Sequence, residues 1–217
     1  MYVPAHFAMT DAQTARLLAG IDAADLVTCT ESGPVATFLP VLFDPGVGER
    51  GAFLAHLARN NPQWRGPWTG EAMLLARAGD HYVSPSAYAS KAEHGRVVPT
   101  WNYTTAHIYG QLVVHDDPQW CGQLVTALTR RHESRRERPW EVSDAPERFV
   151  AGQLRAIVGV ELRITHVEAK AKLSQNRPAA DVEGVVADLR ARGEHAAAEA
   201  VRAAGEIQAH DEGRSSS

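Results

Sequence analysis

The sequence predicts an antiparallel β-barrel with helical cover, an α+β fold. Three observations carry this reading. About six β-rich runs follow one another with short links, and helical patterns lie toward both ends. The run VPTWNYTTAHIYGQLVVHD (98–116) exceeds the usual strand length of roughly 3 to 10 residues. A strand that long bends through a barrel or continues into a partner subunit, and dimerisation is the simpler use.

The elements follow in order. Thr10-Asp11-Ala12-Gln13 reads as a capping box, opening a helix of roughly 12 to 15 residues with Leu17, Leu18 and Ile21 on one stripe. DLVTCT (25–30) and VATFLPVLFD (35–44) form a hairpin around Glu31-Ser32-Gly33-Pro34, closed by the loop DPGVGERG. AFLAH (52–56), EAMLLARAG (71–79) and HYVSPSAY (81–88) are three further strands, the last broken by Pro85. Asp117-Pro118 is an N-cap and first-turn pair starting a helix through Leu128. Asn61-Pro62-Gln63-Trp64 repeats the device of Asp117-Pro118-Gln119-Trp120. Residues 144–158 read as a helix, 158–173 as a half-exposed alternating strand, and 177–193 as an amphipathic helix stopped by Gly193. Residues 1–192 are therefore expected to form the domain, and 193–217 a polar Ala/Glu/Gly/Ser tail, partly disordered.

Composition narrows the function classes. Hydrophobic residues at 44% and charged residues at 22% are ordinary globular values, so the core needs no disulfide framework. Cys29 and Cys121 are the only cysteines, expected reduced and buried. The N-terminus lacks a basic region followed by an apolar run, and no stretch approaches about 18 apolar residues, so a cytoplasmic protein is expected. A net charge of −4 argues against binding DNA by phosphate neutralisation. The one basic run, RRHESRRERPW, interleaves Arg130, Arg131, Arg135, Arg136 and Arg138 with Glu133, Glu137 and Glu141, the pattern of a solvated helix end. HExxH, paired CxxC, GxGxxG after a strand, GxxxxGK[ST] and GxSxG are all absent.

Three polar stretches are candidates for a site. In FLAHLARNNPQWRG (53–66), an apolar strand runs at once into His56, Arg59, Asn60 and Asn61. These residues either cap a turn ahead of Pro62 or cradle an anion, with free N–H groups at a helix start and Arg59 as a fork. In PTWNYTTAH, alternation sets Trp101, Tyr103, Thr105 and His107 on one face and Thr100, Asn102, Thr104 and Ala106 on the other. An aromatic face with polar tips packs a subunit interface or stacks a planar heterocycle. In KLSQNR, Lys172, Gln175, Asn176 and Arg177 lie between a strand and a helix, either as a capped helix start or as a second pole of an anionic site.

Together MYVPAHF, AHLARNNPQW, HYVSPSAY, VPTWNYTTAHIYG, IVGVELRI and KLSQNRPAAD span about residues 1 to 190. In that order they resemble the PaiB-type FMN-binding negative transcriptional regulators. The resemblance implies a split barrel like that of pyridoxamine-phosphate oxidases, a homodimer, and FMN as cofactor. It places the cofactor phosphate at His56, Arg59, Asn60 and Asn61, the subunit interface near Trp101, Asn102 and Tyr103, and a second wall at Lys172, Gln175 and Asn176. The chain departs from the family at Phe38, where His is usual, and at Ala55, where Gly is usual. Some proteins similar to PaiB are haem enzymes, the piperazate synthases, which form an N–N bond in N5-hydroxyornithine. On that alternative the cofactor is haem b, with His56 as axial ligand and His107 in reserve.

Overall fold

The computed structural model describes residues 1–215, with side chains through 206. Of the tail expected at 193–217 to be partly disordered, only residues 216–217 lie outside the described residues. Strands β1 (Ala23–Thr30), β2 (Gly33–Pro40), β3 (Leu42–Asp44), β4 (Ala52–Ala58), β5 (Ala72–Val83), β6 (Thr100–His115) and β7 (Ile157–Lys172) form one seven-stranded sheet, ordered β2-β1-β5-β6-β7-β4-β3. The ladders β1–β2, β1–β5, β3–β4 and β4–β7 are antiparallel. Helices α1 (Asp11–Gly20), α2 (Ser90–His94), α3 (Pro118–Glu133), α4 (Glu147–Leu154), α5 (Ala179–Ala191) and α6 (His195–Ser215) complete the chain.

The chain packs as two compact units. One holds residues 1–14, 77–105 and 169 onward; the other holds residues 15–76 and 106–168. In the second unit, period-two burial makes the core. On β4, Phe53, Ala55 and Leu57 are buried, and Leu54 and His56 turn to the opposite, half-buried face. The same rule buries Leu26, Leu74, Ile108, Val158, Val160 and Leu162. In the first unit, Val83, Tyr88, Leu173, Val185, Val186 and Leu189 form a cluster with Ala197, Ala198 and Val201 of α6. The segment read as a polar tail thus carries a helix whose small apolar face is buried.

Local signals explain most boundaries. The capping box forms: Thr10 N–H donates to Gln13 Oε1 at 2.8 Å, and Gln13 N–H to Thr10 Oγ1 at 3.3 Å. Asp117 and Asn61 cap alike, each side chain accepting from the N–H two residues on, at 2.9 Å in both cases. The alternating run expected at 158–173 is β7, and the long run expected at 98–116 is β6.

Several boundaries differ from expectation. The strand expected at 71–79 runs on through Gly79, at φ +110°, to Val83 as β5, and the rest of the strand expected at 81–88 is instead a 3-10 turn at Pro85–Ala87. The run 35–44 is divided between β2 and β3 at Val41. The helix expected over 144–158 is only α4: Asp144 is spent closing a 3-10 turn at Val142–Asp144, and the residue before Pro146 is extended. Helix α3 runs on to Glu133, since Arg130, Arg131 and Glu133 are good helix formers and make ion pairs. Helix α1 is shorter than expected and ends at Gly20. Cys121 is buried as expected, but Cys29 is exposed, because alternation along β1 gives the inward position to Thr28.

Candidate functional site

The first candidate stretch leaves β4 in the second unit. His56 pairs through its backbone with Gly159 of β7. Its ring is half-buried, burial holds its pKa below the ordinary imidazole value, and no group among the described residues bonds to it. A neutral imidazole with an unused nitrogen is the chemistry of a ligand to a metal or a polar cofactor atom.

Four of the five Arg59 N–H donors are engaged within the chain. Its Nη2 and Nη1 donate to Asp116 Oδ1 and Oδ2 at 2.6 and 3.1 Å, Nε to Arg155 O at 2.7 Å, and Nη2 also to Ile157 O at 3.1 Å. The Asp116 hydrogen bond raises the guanidinium pKa, and the same bond holds the Asp116 carboxyl low. Asn60 is exposed. Asn61 spends its Oδ1 on the Gln63 N–H and donates from Nδ2 to Thr37 Oγ1 at 3.0 Å. The Arg59 and Asn61 N–H groups go to Ala156 O and Ala58 O, both at 2.8 Å. Locally, then, the geometry is that of a tightly capped turn.

Gln63, which the sequence reading passed over, anchors this turn. It is 5% exposed, and its Nε2 shares two N–H donors among Leu26 O at 3.0 Å, Thr28 Oγ1 at 3.1 Å and Val35 O at 3.2 Å. Thr37 Oγ1 donates to its Oε1 at 2.5 Å. The signal was present in the NPQW/DPQW parallel, but the pattern does not say which Gln turns inward.

Apart from His107, the other predicted residues lie in the first unit, on β6, on β7 and in the turn that follows. Lys172 Nζ donates to Thr100 Oγ1 at 2.7 Å and to Trp101 O at 2.6 Å. Burial lowers the Lys172 pKa, and the charges of Lys170 and Arg177 lower it further. Trp101 is 54% exposed, and its ring meets Tyr82 edge-on, with centroids 6.0 Å apart. Asn102 is wholly buried and exchanges two hydrogen bonds with the Ser174 hydroxyl, at 2.9 and 3.2 Å.

Ser174 adopts φ +65°, the only non-glycine in the left-handed region among the described residues. The Asn102 pair offsets that strain, and Gln175 closes the turn. Its Oε1 accepts from Leu173 N–H, and its Nε2 donates to Ala171 O, both at 2.6 Å. Asn102 and Gln175 therefore shape the turn and have little capacity left for a ligand. Asn176 is exposed on the rim of a cleft of about 720 Å³ between this turn, α5 and α6. The Tyr103 ring lies 5.3 Å from Lys170 Nζ. His107, the reserve ligand, is half-buried in the second unit with its pKa lowered by burial, 6.5 Å from the Tyr109 ring.

The fold defines the class: an antiparallel split barrel with helices. The chain belongs to the family described as "Putative FMN-binding domain", whose model matches residues 1–166. It is 31% identical over 192 residues to the protease synthase and sporulation protein PAI 2 of Bacillus subtilis, covering 88% of this chain and 89% of that one. Two solved structures share the fold. The conserved hypothetical protein Rv2991 of Mycobacterium tuberculosis matches with a TM-score of 0.55 at 14% identity, over 82% of this chain and 94% of that one. The FAD and heme binding protein of Mycobacterium smegmatis matches with a TM-score of 0.51 at 18% identity, over 75% of this chain and 71% of that one.

Proposed function

We propose that this protein binds FMN as a PaiB-type homodimer and serves as a negative transcriptional regulator or redox-responsive module in the cytoplasm. One observation carries the flavin reading. In the first unit the exposed Trp101 ring stands on the residue whose carbonyl receives the Lys172 ammonium. An aromatic surface beside a cation is complementary to a planar, anionic cofactor. Flavin, when bound, supplies reversible hydride and single-electron transfer. Lys172 would contribute positive charge and a hydrogen-bond donor, and Trp101 and Tyr103 apolar contact.

Exposed apolar side chains support association with a second copy. Tyr82, Val98 and Trp101 in one unit, and Phe38 in the other, are 43%, 65%, 54% and 67% exposed. Direct DNA contact has no comparable support, since Arg130, Arg131 and Arg136 are ion-paired to Glu141, Asp22 and Glu133. Control of transcription would then run through a partner protein. No helix among the described residues is long and apolar enough to cross a membrane.

One observation favours a second reading. The His56 ring, neutral and without a partner, has the chemistry of an axial haem ligand in an enzyme of secondary metabolism that forms an N–N bond. An absorption spectrum of the desalted protein after incubation with FMN or haemin separates the two. Retained flavin bands are expected. A Soret band that His56→Ala abolishes replaces the flavin reading with the haem one, and retention of neither sinks both. Light scattering at twice the mass of the chain is expected, and a monomer overturns the dimer.

A further inference from the structure

Several arginines among the described residues pair with carboxylates, but two neighbouring lysines on β7 do not. Lys170 and Lys172 are two residues apart on one strand, and their side chains therefore share a face. Lys170 is only 8% exposed. Its Nζ donates to Tyr2 O at 3.3 Å, and it lies 5.3 Å from the Tyr103 ring, 5.8 Å from Phe7 and 5.9 Å from Tyr2. Lys172 Nζ lies 5.9 Å from the same Phe7 ring. Arg177, the next cation along the chain, stacks over Tyr88 at 4.5 Å. Among the described residues no carboxylate pairs with Lys170, Lys172 or Arg177.

That arrangement is costly as it stands. An ammonium removed from water is stabilised by aromatic faces and carbonyls, but neither cancels its charge. A second ammonium beside it adds repulsion, and the lowered Lys172 pKa has Lys170 and Arg177 among its causes. Arg59 presents the opposite case: its fork already holds the Asp116 carboxylate, so an incoming anion would have to compete with it. Each lysine also keeps donors in reserve, since an ammonium carries three N–H groups, and Lys172 uses two and Lys170 one.

We propose that Lys170 and Lys172 together bind a phosphate monoester, and that the anion pole of the site lies there and not at Arg59. A phosphate monoester carries close to two negative charges at neutral pH, which matches two adjacent ammonium groups better than a carboxylate does. Resting on the flavin reading above, the group is the phosphate of FMN; apart from it, the site takes a free phosphate.

Two measurements on the full-length protein test this. The first compares FMN with riboflavin, which lacks the phosphate, by quenching of flavin fluorescence. Lys170→Met and Lys172→Met, checked for folding by circular dichroism, are each expected to shrink the preference for FMN by about 10- to 100-fold. The second labels the wild-type amines with acetic anhydride and reads Lys172 by mass spectrometry. Inorganic phosphate is expected to protect Lys172, and chloride at matched ionic strength is not. FMN binding with a preference unchanged in both variants overturns the inference and leaves the flavin reading standing. If neither flavin binds, the flavin reading falls; protection by inorganic phosphate then still supports the lysine site, and its absence overturns it.

Discussion

The Arg59 guanidinium grips the Asp116 carboxylate with two prongs, Nη2 to Oδ1 at 2.6 Å and Nη1 to Oδ2 at 3.1 Å. With its bonds to Arg155 O and Ile157 O, the same side chain ties the end of β4 to the approach to α3 and to the start of β7. Arg59→Met, which loses all of these bonds, is expected to lower the melting temperature more than Asp116→Asn, which leaves the carbonyl bonds in place. Asp116 also sets an acid dependence. Its pKa is depressed in the folded state, so its stabilisation is complete above the ordinary carboxyl value of 3.8 and fades as pH falls through the folded value. The wild type should therefore lose more stability than Arg59→Met between pH 5 and about pH 2. Equal losses would show that the pair contributes nothing.

Gln63 offers a sharper stability test because its amide is buried. Gln63→Leu leaves Leu26 O, Val35 O and the Thr28 and Thr37 hydroxyls short of partners, at a cost of about 3 kcal/mol. Urea unfolding measures it. A change below about 0.5 kcal/mol, the size of a neutral surface substitution, would mean that water replaces the amide.

Gly184 is required by packing. A Cβ there would meet Ala87 O at 2.0 Å, a backbone atom with no side-chain freedom to retreat. Gly184→Ala is expected to cost at least the roughly 1–3 kcal/mol of an overpacked core. At Gly20, the last residue of α1, a Cβ meets nothing within 4 Å, so Gly20→Ala serves as the tolerated control.

His56 carries a pH signature of its own. Burial lowers its pKa from 6.5, so the unfolded chain binds the proton more readily. Stability contributed by the neutral ring is therefore present above 6.5 and is lost as pH falls from there toward the folded value. Melting temperatures at pH 7.5 and 5.5 should converge in His56→Phe relative to the wild type. An unchanged gap would assign the acid sensitivity elsewhere.

The two thiols should separate kinetically. Cys29 is exposed, while Cys121 is buried with its pKa raised by that burial. Ellman's reagent at pH 8 is expected to titrate one thiol rapidly in the native protein and the second only in denaturant. Two fast thiols would contradict the packing of α3.

Short-range chemistry was legible in the sequence, because its causes are local. The capping box at Thr10, the twin caps at Asn61 and Asp117, and the alternation that buries Phe53, Ala55 and Leu57 depend on neighbours a few residues away. The split-barrel class followed from that pattern together with the family resemblance. What only the tertiary structure decided was which polar groups are already satisfied. Arg59 and Asp116 are 57 residues apart, Asn102 and Ser174 are 72 apart, and Gln63 reaches back 37 residues to Leu26. A sequence shows donors and acceptors but not their long-range partners. Arg59 therefore read as a fork open to an anion, and Lys170 passed unnoticed at one position of an alternating strand. Charge is neutralised in space and not along the chain, which placed a carboxylate on Arg59 and, among the described residues, none on Lys170 or Lys172.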